Sequence, residues 1–447
     1  MLSPLEDFAS TAPFSWYAVP RSPAVFHLGM RRNPEDFRGI SIVDQLQLAE
    51  FFVEEAASRK IIGPRFPVLI YGAGAAGVSA AMTAARLGVP ATVREKSDAP
   101  FGPQARSGTR WLHPHQYSWP KPEWRNPEFE GLHARALAWK AGFAPEVAKQ
   151  LSTQFDHAQR RYDITFAPNT AAASLPVRKA GWEKLPEPER RQLYLKRYQS
   201  FVAQEDPEQL FALYLICTGF GKERCSLPPH NGFPFWSTDP IPANDFGCGK
   251  KEPRILLSGG GDGAQQDLLR FAFGVPPLDV ISNILVATEV TRRGRKWRQH
   301  MTAEVRRLQE IYDLHAVDAN FDALVTSIPS EVWFWIKRAI QKMLRPEFVI
   351  SSTIRFVFPR AYVPRCYPLN RILVLFLRRH ILEETGADIF LSETSLDAQS
   401  IPIPPHSCAK SASECWGFPH RVQLDRLGSS ESWDFDILVV RHGLFPL

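Results

Sequence analysis

The chain has 447 residues, of which 44% are hydrophobic and 22% charged, as in an ordinary folded protein. This apolar content excludes wholesale disorder, and the length favours two or three domains. The formal net charge of +6 is thinly spread, apart from one basic run at 292–296. No basic stretch alternates with aromatic residues as in nucleic-acid-binding proteins, so we predict no nucleic-acid partner.

The six cysteines include no Cys-x-x-Cys pair, which argues against a zinc site and against a redox dithiol of that kind. Their low density is typical of a reducing compartment. The N-terminus has no basic segment followed by an apolar core, and no window reaches about 18 uninterrupted apolar residues. We therefore expect a cytoplasmic protein without a membrane span or a metal site, and its oligomeric state stays open.

The first third of the chain predicts a parallel sheet. Residues 1–65 form an N-terminal extension that is irregular at first and ends in an amphipathic helix over 41–59. The apolar run 66–71 predicts a buried strand, 75–88 a helix and 89–96 the next strand. Strand, helix and strand in this order imply parallel pairing.

The rest of the chain repeats this pattern once. After a long aromatic loop at 100–127, the predicted elements are mainly helices over 128–205, a strand over 210–221, a strand–turn–helix unit over 254–274, helices over 277–348, short strands and a helix over 349–400, a loop over 401–433 and a last strand over 434–443. The last strand is expected to complete one of the sheets.

A glycine-rich turn, Gly72-Ala-Gly74-Ala-Ala-Gly77, follows the first predicted strand and opens a helix. This spacing is typical of dinucleotide-binding proteins. The first glycine allows a tight turn, the second lets a pyrophosphate approach the backbone, and the third lets helix and strand pack closely. The start of the helix, Ala75 and Ala76, would offer free N–H groups to the phosphates.

An acidic residue stands where such a turn needs one. Glu95 ends the next predicted strand, a position from which a carboxylate accepts hydrogen bonds from ribose hydroxyls. Lys96 follows it directly and is a further candidate for cofactor binding.

A second motif, Thr218-Gly219-Phe220-Gly221, ends the predicted strand over 210–221. Its glycines permit positive φ and close contact with a ligand. A strand that ends in this motif, with an acid shortly after it, resembles FAD-dependent oxidoreductases with two dinucleotide-binding domains. That group includes flavin monooxygenases and pyridine nucleotide-disulfide oxidoreductases. The resemblance implies that Thr218 and Gly219 approach FAD, with Cys217 where alanine is usual.

A third motif, Ser258-Gly-Gly-Gly-Asp-Gly-Ala264, resembles the turn of the NAD(P)H-binding domain in the same group. Small residues stand at the three critical positions, Gly259, Gly261 and Ala264. The resemblance implies an NADPH site that also includes Asp262. The alternative is a degenerate second half that only packs or touches FAD.

The segment from 106 to 119 carries the most reactive side chains. In the flavoproteins that the chain resembles, the loop after the ribose-binding acid runs under the flavin. The resemblance implies that Arg106 and Arg110 contact the pyrophosphate or the flavin, and that Trp111 stacks on its ring. An unperturbed histidine suits proton transfer near pH 7. The candidate catalytic residues are His113, His115 and Tyr117.

A further candidate region, 365–371, places polar groups at the start of a predicted helix. A structural role is the favoured interpretation, and closing over a ligand is the alternative.

We predict an α/β fold with a Rossmann-like FAD domain, a second dinucleotide-binding-like domain and a helical insertion or cap. The expected parts are the extension with its helix on the core (1–65), the FAD domain (66–127 and 206–253), a helical insertion (128–205), the second domain with a helical cap (254–400), and a C-terminal loop and final strand (401–447).

The expected function is that of an FAD-dependent oxidoreductase, most simply an NADPH-using monooxygenase acting on a small organic substrate. Two alternatives stay open, because a fold alone does not separate them. One is an FAD oxidase or dehydrogenase that takes hydride directly from its substrate. The other is a non-catalytic dinucleotide-binding or interaction module.

Overall fold

The structure is a computed structural model of the whole chain. It describes residues 4–12, 14–19, 22–28, 41–116, 119–120, 137–170, 211–219, 223, 225, 232–239, 241, 254–309, 314–345, 354–358, 366–401, 420–426 and 429–442. The chain divides into two compact units, which we call unit 1 (1–106, 127–221 and 446–447) and unit 2 (107–126 and 222–445).

The division differs from the predicted domains at two places. Residues 107–126 and 222–253, which we expected in the first dinucleotide-binding domain, belong to unit 2. The physical reason is a set of buried ion pairs between these segments and a helix of unit 2, of which Arg110 to Asp267 is one.

In chain order, the elements up to residue 216 are α1 (Pro4–Ser10), a short 3₁₀ helix (Phe14–Trp16), β1 (Ala18–Val19), β2 (Ser22–His27), α2 (Ile42–Ser58), β3 (Val68–Tyr71), α3 (Ala75–Arg86), β4 (Ala91–Arg94), α4 (Gly102–Ala105), β5 (Trp111–Leu112), β6 (Gly142–Phe143), α5 (Ala144–Arg161), β7 (Ile164–Ala167) and β8 (Leu213–Ile216).

The remaining elements are β9 (Ile255–Ser258), α6 (Asp262–Ala272), α7 (Pro277–Thr288), α8 (Arg292–Gln309), α9 (Leu314–Thr326), α10 (Ser330–Met343), β10 (Ile354–Val357), α11 (Pro368–Thr385), β11 (Phe390–Leu391), β12 (Thr394–Ile401), β13 (His420–Arg426), β14 (Ser429–Phe435) and β15 (Ile437–Val440).

Unit 1 is built on a six-stranded sheet with the order β1-β2-β8-β3-β4-β7. All of its neighbouring pairs are parallel except β1 with β2. From β3 the chain moves outward through α3 to β4 and through α5 to β7, whereas β8 pairs on the other side of β3. Ligands of open α/β sheets bind at such a reversal, outside the carboxyl ends of the strands.

The N-terminal extension contributes to this sheet, which the sequence analysis missed. The start of the chain was expected to be irregular, but β2 pairs in parallel with β8. Phe26 on β2 is fully buried and lies edge-on to Phe52 of α2, with ring centroids 5.1 Å apart. Helix α2, as expected, packs on α3. Burial of these aromatic rings therefore holds the extension on the core.

The segment expected to be a helical insertion also contains a strand. Helix α5 covers 144–161, and β7 follows it at the edge of the sheet beside β4. The N–H of Ala91 donates to the carbonyl of Asp163 (3.1 Å), and the N–H of Glu95 donates to that of Ala167 (3.0 Å). Residues 171–205 of the expected insertion lie outside the described residues.

Unit 2 repeats the arrangement on a smaller scale. Its four-stranded sheet has the order β11-β10-β9-β15, with every pair parallel. From β9 the chain proceeds through helices to β10 and then to β11, whereas β15 pairs on the opposite side of β9. The direction of strand order therefore reverses between β9 and β15. The predicted last strand does complete a sheet.

The helical part of unit 2 supplies its core. Four helices, α7 to α10, cover the span expected to be helical, and α11 lies where a helix was expected between the short strands. Trp297 and Phe376 belong to one large buried cluster of this unit. Within the described residues, no helix is long and apolar enough to cross a membrane.

The expected loop at 401–433 is wrong in part. β12, β13 and β14 form a three-stranded antiparallel sheet. Leu424 on β13 and Phe435 at the end of β14 are buried with residues of β9 and β15, and this burial of apolar side chains stabilises the small sheet.

The structure therefore confirms the α/β class, with two sheets of mainly parallel strands covered by helices.

Candidate functional site

The first glycine-rich turn of unit 1 requires glycine at two positions for reasons of packing. Gly72 has φ +94°, and its N–H donates to the carbonyl of Arg94 at the end of β4 (2.8 Å). A Cβ on Gly72 would lie 2.6 Å from the carbonyl oxygen of Cys217. A Cβ on Gly77 would overlap the carbonyl oxygen of Gly72. Both glycines therefore let the turn, α3 and β8 pack together.

At the middle glycine of the turn, Gly74, packing does not require glycine. Gly74 is the N-cap of α3, with φ −79° and no side-chain cap, and a Cβ there would meet nothing within 4 Å. Helix α3 begins at Ala75 and Ala76, whose N–H groups have no partner within the helix. Open space before unpartnered N–H groups is what an approaching phosphate needs. Packing does not explain glycine at 74, whereas a bound pyrophosphate would.

Glu95 lies beside this turn. It follows β4 directly, and its Oε2 accepts a hydrogen bond from the N–H of Ala73 (2.6 Å), while Oε1 accepts one from the N–H of Ser97 (2.8 Å). A carboxylate has about four acceptor positions, so two remain for ribose hydroxyls. Lys96, the next residue, is exposed.

Helix α4 is tied to the same turn. The N–H of Phe101 donates to the carbonyl of Ala73 (2.9 Å). Arg106 ends this short helix and is exposed.

The second motif meets the first at the same sheet edge. The N–H of Cys217 donates to the carbonyl of Tyr71 (2.7 Å), and the Cα of Thr218 lies 3.2 Å from a Cβ built on Gly72. Thr218 and Gly219 are exposed, and Gly219 has φ +78°. Burial raises the pKa of the Cys217 thiol well above its usual range. Residues 220 and 221 of the motif lie outside the described residues.

The glycine-rich turn of unit 2 has the same frame. The N–H of Gly259 donates to the carbonyl of Val357 at the end of β10 (2.8 Å), and the N–H of Arg441 donates to that of Ser258 (2.7 Å). Gly259 has φ +124°, and a Cβ there would overlap the carbonyl oxygen of Arg441. Gly261 is the N-cap of α6, and a Cβ there would meet nothing within 4 Å. Gly259, Gly261 and Arg441 thus correspond to Gly72, Gly74 and Cys217.

Three of the side-chain differences between the two turns affect packing or charge. Ala264, buried at 1% exposure, stands where unit 1 has Gly77. Phe358 follows β10 at the place where Glu95 follows β4, so unit 2 has no carboxylate at that position. Asp262 begins α6, and its Oδ1 accepts hydrogen bonds from Nδ2 of Asn370 (2.7 Å) and from the N–H of Tyr367 (3.2 Å).

The start of α11, which contains part of the candidate region 365–371, therefore lies against the second turn. Asn370 is fully buried, and Arg371, exposed by 3%, forms an ion pair with Asp318. Residue 365 lies outside the described residues. The basic run at 292–296 begins α8 with exposed arginines, of which Arg293 pairs with Glu331 (3.2 Å).

Arg110 is not placed to contact a cofactor, which corrects the expectation from the sequence. Its guanidinium is buried, lies 3.8 Å above the ring of Phe235 and donates through Nε to that residue's carbonyl (2.8 Å). Nη1 lies 2.5 Å from Asp267, and Nη2 lies 3.4 Å from Asp239. Burial lowers the pKa of Arg110 to about 10. Its N–H groups are committed to unit 2, so Arg110 anchors the segment that follows it, including the partly exposed Trp111.

Asp267 is the centre of this buried cluster. Arg441 and Arg270 also donate to its carboxylate, at 2.8 and 3.0 Å. Burial acts to raise the pKa of Asp267, but Arg110, Arg441 and Arg270 together hold it well below the usual range. Because Arg441 leaves β15 beside Gly259, the cluster also supports the second turn.

The two candidate catalytic histidines lie together inside unit 2. His113 and His115 are buried, their ring centroids are 5.7 Å apart, and Nδ1 of His113 accepts a hydrogen bond from the N–H of His115 (3.0 Å). Burial, aided by His115, lowers the pKa of His113 to about 4. His113 is therefore neutral at pH 7, and the expected proton exchange near that pH does not hold for it. Tyr117 lies outside the described residues.

The sequence analysis identified Ser258 as part of the third motif but missed its partner at this sheet edge, His442. Oγ of Ser258 and Nε2 of His442 are 2.6 Å apart. The signal that could have found His442 is a repeated pattern, since a strand followed by one residue, a polar residue and glycine occurs at 213–219 and again at 437–443. Among the described residues, no three His, Cys, Asp or Glu side chains are grouped as metal ligands.

No protein-family model matches the chain, and no curated protein is significantly similar to it. Several solved structures are similar at a low level, among them two thioredoxin reductases. The thioredoxin reductase of Lactococcus lactis has 12% identity and a TM-score of 0.34, with 86% of this chain and 78% of that chain covered. The thioredoxin reductase of T. acidophilum has 12% identity and a TM-score of 0.32, with 85% and 77% covered.

The third structure is a 2-naphthoyl-CoA reductase complex, with 13% identity, a TM-score of 0.30, and 86% of this chain and 34% of that chain covered. These values are too low to support an inference about function. The α/β fold stands on the strand order and register described above.

Proposed function

We propose that the chain is an FAD-dependent oxidoreductase that binds FAD at the carboxyl edge of the unit 1 sheet. One observation carries the proposal. Gly74 is a glycine that packing does not require, at a helix start flanked by Glu95 and Thr218 at the same edge. The α3 N-terminus would hold the pyrophosphate, Glu95 would accept from the ribose, and Thr218 would lie along the rest of the cofactor.

Unit 2 is proposed to bind the nicotinamide dinucleotide that reduces the flavin, with NADPH as the preferred form. The support is the matched frame, in which Gly259 and Gly261 stand in the same relation to β10 and β15 as Gly72 and Gly74 do to β4 and β8. A bound flavin supplies hydride acceptance and reaction with oxygen, chemistry that side chains lack. The chain's own residues would orient the two cofactors and exclude water.

The finer proposal is a monooxygenase acting on a small organic substrate. Each turnover would then consume one reduced nicotinamide dinucleotide, one proton and one O₂, place one oxygen atom in the product and release the other as water.

A specific observation favours a second candidate, an FAD oxidase or dehydrogenase that takes hydride from its substrate. Unit 2 has Phe358 at the place of Glu95, and Asp262 places a carboxylate at the start of α6. A carboxylate there repels a phosphate electrostatically. In this candidate, unit 2 would be a structural domain that binds no nicotinamide dinucleotide.

One experiment separates the candidates. The full chain is purified, its flavin absorbance is recorded, and NADPH or NADH is added without oxygen. Rapid bleaching of a yellow protein supports the proposed function, and one hydroxylated product per NADPH after readmission of O₂ supports the monooxygenase. Bleaching only by an organic substrate favours the second candidate. A colourless protein that FAD does not reconstitute overturns both enzymes and favours a non-catalytic module.

A further inference from the structure

In each unit, one strand pairs with the central strand, β3 in unit 1 and β9 in unit 2, on the side opposite the βαβ crossover. In unit 1 this strand is β8, which is followed by Cys217 and Thr218; in unit 2 it is β15, followed by Arg441 and His442. Cys217 and Arg441 make the same backbone hydrogen bond, each 2.7 Å, to the last residue of the central strand. His442 is therefore the counterpart of Thr218.

His442 occupies an accessible position at this edge. It is exposed, and its Nε2 lies 2.6 Å from Oγ of Ser258, the last residue before the glycine-rich turn. Ser258 is buried at 2% exposure, so its hydroxyl holds the imidazole of the exposed His442 at this edge.

Two buried polar side chains, Gln265 and Arg441, lie beside the second turn. Within the part of the chain that the structure describes, Nη2 of Arg441 and Oε1 of Gln265 have no hydrogen-bond partner, although both residues are buried. Buried polar atoms without partners are uncommon in folded proteins and are usually completed by water or a ligand. Gln265 lies on α6, which begins at the second turn, and Arg441 follows β15 beside Gly259.

We propose that His442 is a binding residue for the nicotinamide half of the dinucleotide held by unit 2. The inference rests on the proposed function. In a sheet of this order, the adenosine ribose lies over the strand after the first crossover, here β10, and the ligand extends across the point where the order reverses. Beyond that point lies β15, so the residues that follow β15 lie beside the nicotinamide half of the dinucleotide.

The chemistry of the contact is a hydrogen bond from the imidazole to a ribose hydroxyl or to the carboxamide of that half. NADPH and NADH share these groups and differ only at the adenosine ribose, so His442 would serve both. ADP and 2′,5′-ADP lack the nicotinamide half altogether and serve as probes of the other half.

The test measures dissociation constants of the full-length protein for NADP⁺, NAD⁺, 2′,5′-ADP and ADP by calorimetry. The oxidised dinucleotides bind without reducing the flavin. His442→Ala is expected to weaken both dinucleotides about 3- to 10-fold, the size of one hydrogen bond, and to leave both adenosine probes within about twofold. His442→Gln should recover part of the loss. Ser258→Ala should give a smaller loss of the same pattern, because it releases the ring.

His300→Ala, which changes an exposed histidine of α8, is the matched control and should change none of the four constants. Equal weakening of dinucleotides and adenosine probes by His442→Ala, or no weakening of any, would overturn the inference alone. A wild-type protein that is yellow yet binds none of the four overturns the nicotinamide half of the proposed function together with this inference. Flavin content, recorded on the same samples, reports separately on unit 1.

Discussion

The carbonyl oxygen of Cys217 lies 2.6 Å from the point where a Cβ on Gly72 would stand. The two residues are far apart in the chain, yet each is the first residue after a strand of the same parallel pair. The turn after β3 and the exit of β8 therefore form one packed edge. Arg441 and Gly259 stand in the same relation in unit 2.

Gly72→Ala tests this contact. The new Cβ meets a backbone carbonyl, and φ +94° is unfavourable for alanine, so we expect the free energy of unfolding of unit 1 to fall by about 2–4 kcal/mol. Denaturant unfolding followed by circular dichroism measures the change. Gly63→Ala is the control, because a Cβ there meets nothing within 4 Å. Equal stability of the two variants would contradict the packing described.

Gly74→Val separates cofactor binding from folding. A side chain at this N-cap has room in the protein itself but would occupy the space that a pyrophosphate needs. We expect a folded variant that loses its flavin. The measurement is the ratio of the flavin absorbance at about 450 nm to the protein absorbance at about 280 nm. Gly63→Val should keep the wild-type ratio. Full flavin content in a folded Gly74→Val variant would place the pyrophosphate elsewhere.

Asp267→Asn tests the buried cluster of unit 2. The change removes the negative charge that three arginines share, and loss of one partner from a buried ion-pair network costs about 3–5 kcal/mol. The free energy of unfolding of unit 2 should fall by this amount. Glu331→Gln removes an exposed pair with Arg293 and should change it by less than about 1 kcal/mol. Similar effects of both changes would show that the cluster contributes little.

His27 predicts a pH dependence for the stability of unit 1. Burial lowers the pKa of His27 to about 4, whereas the unfolded chain keeps a value of about 6.5. As pH falls through this window, the unfolded chain gains a proton that the folded chain does not. The free energy of unfolding is therefore unaffected by His27 above about pH 6.5. Between about pH 6.5 and pH 4 it falls progressively, by up to about 3 kcal/mol.

His27→Leu should remove this part of the pH dependence, which unfolding experiments between pH 7 and pH 4 would measure. His157→Gln, a change of an exposed histidine on α5, should keep the wild-type slope. A slope in His27→Leu equal to that of the wild type would assign the titration to another group.

The backbone conformation of both glycine-rich turns can be predicted from the sequence alone. Residues 72–77 and 259–264 carry small residues at fixed spacing after an apolar run and before a helix, and each conformation depends on neighbours in the chain. The positive φ of Gly72 and the helix start at Ala75 follow from that local pattern. The α/β class follows in the same way from the alternation of strands and helices.

The distant segments that complete each sheet edge are identified by tertiary contacts and not by local sequence patterns. Arg110 meets Asp267 across 157 positions of the chain, and Trp119 of the aromatic loop is buried in the apolar core of unit 2, so both contacts hold this segment in unit 2. The strand β2 pairs with β8 because Phe26 is buried among aromatic rings. No local hydrophobic periodicity predicts this contact. His442 joins the second turn only through the pairing of β15 with β9. Side-chain type and spacing specify local conformation, whereas long-range partners depend on packing and charge in three dimensions.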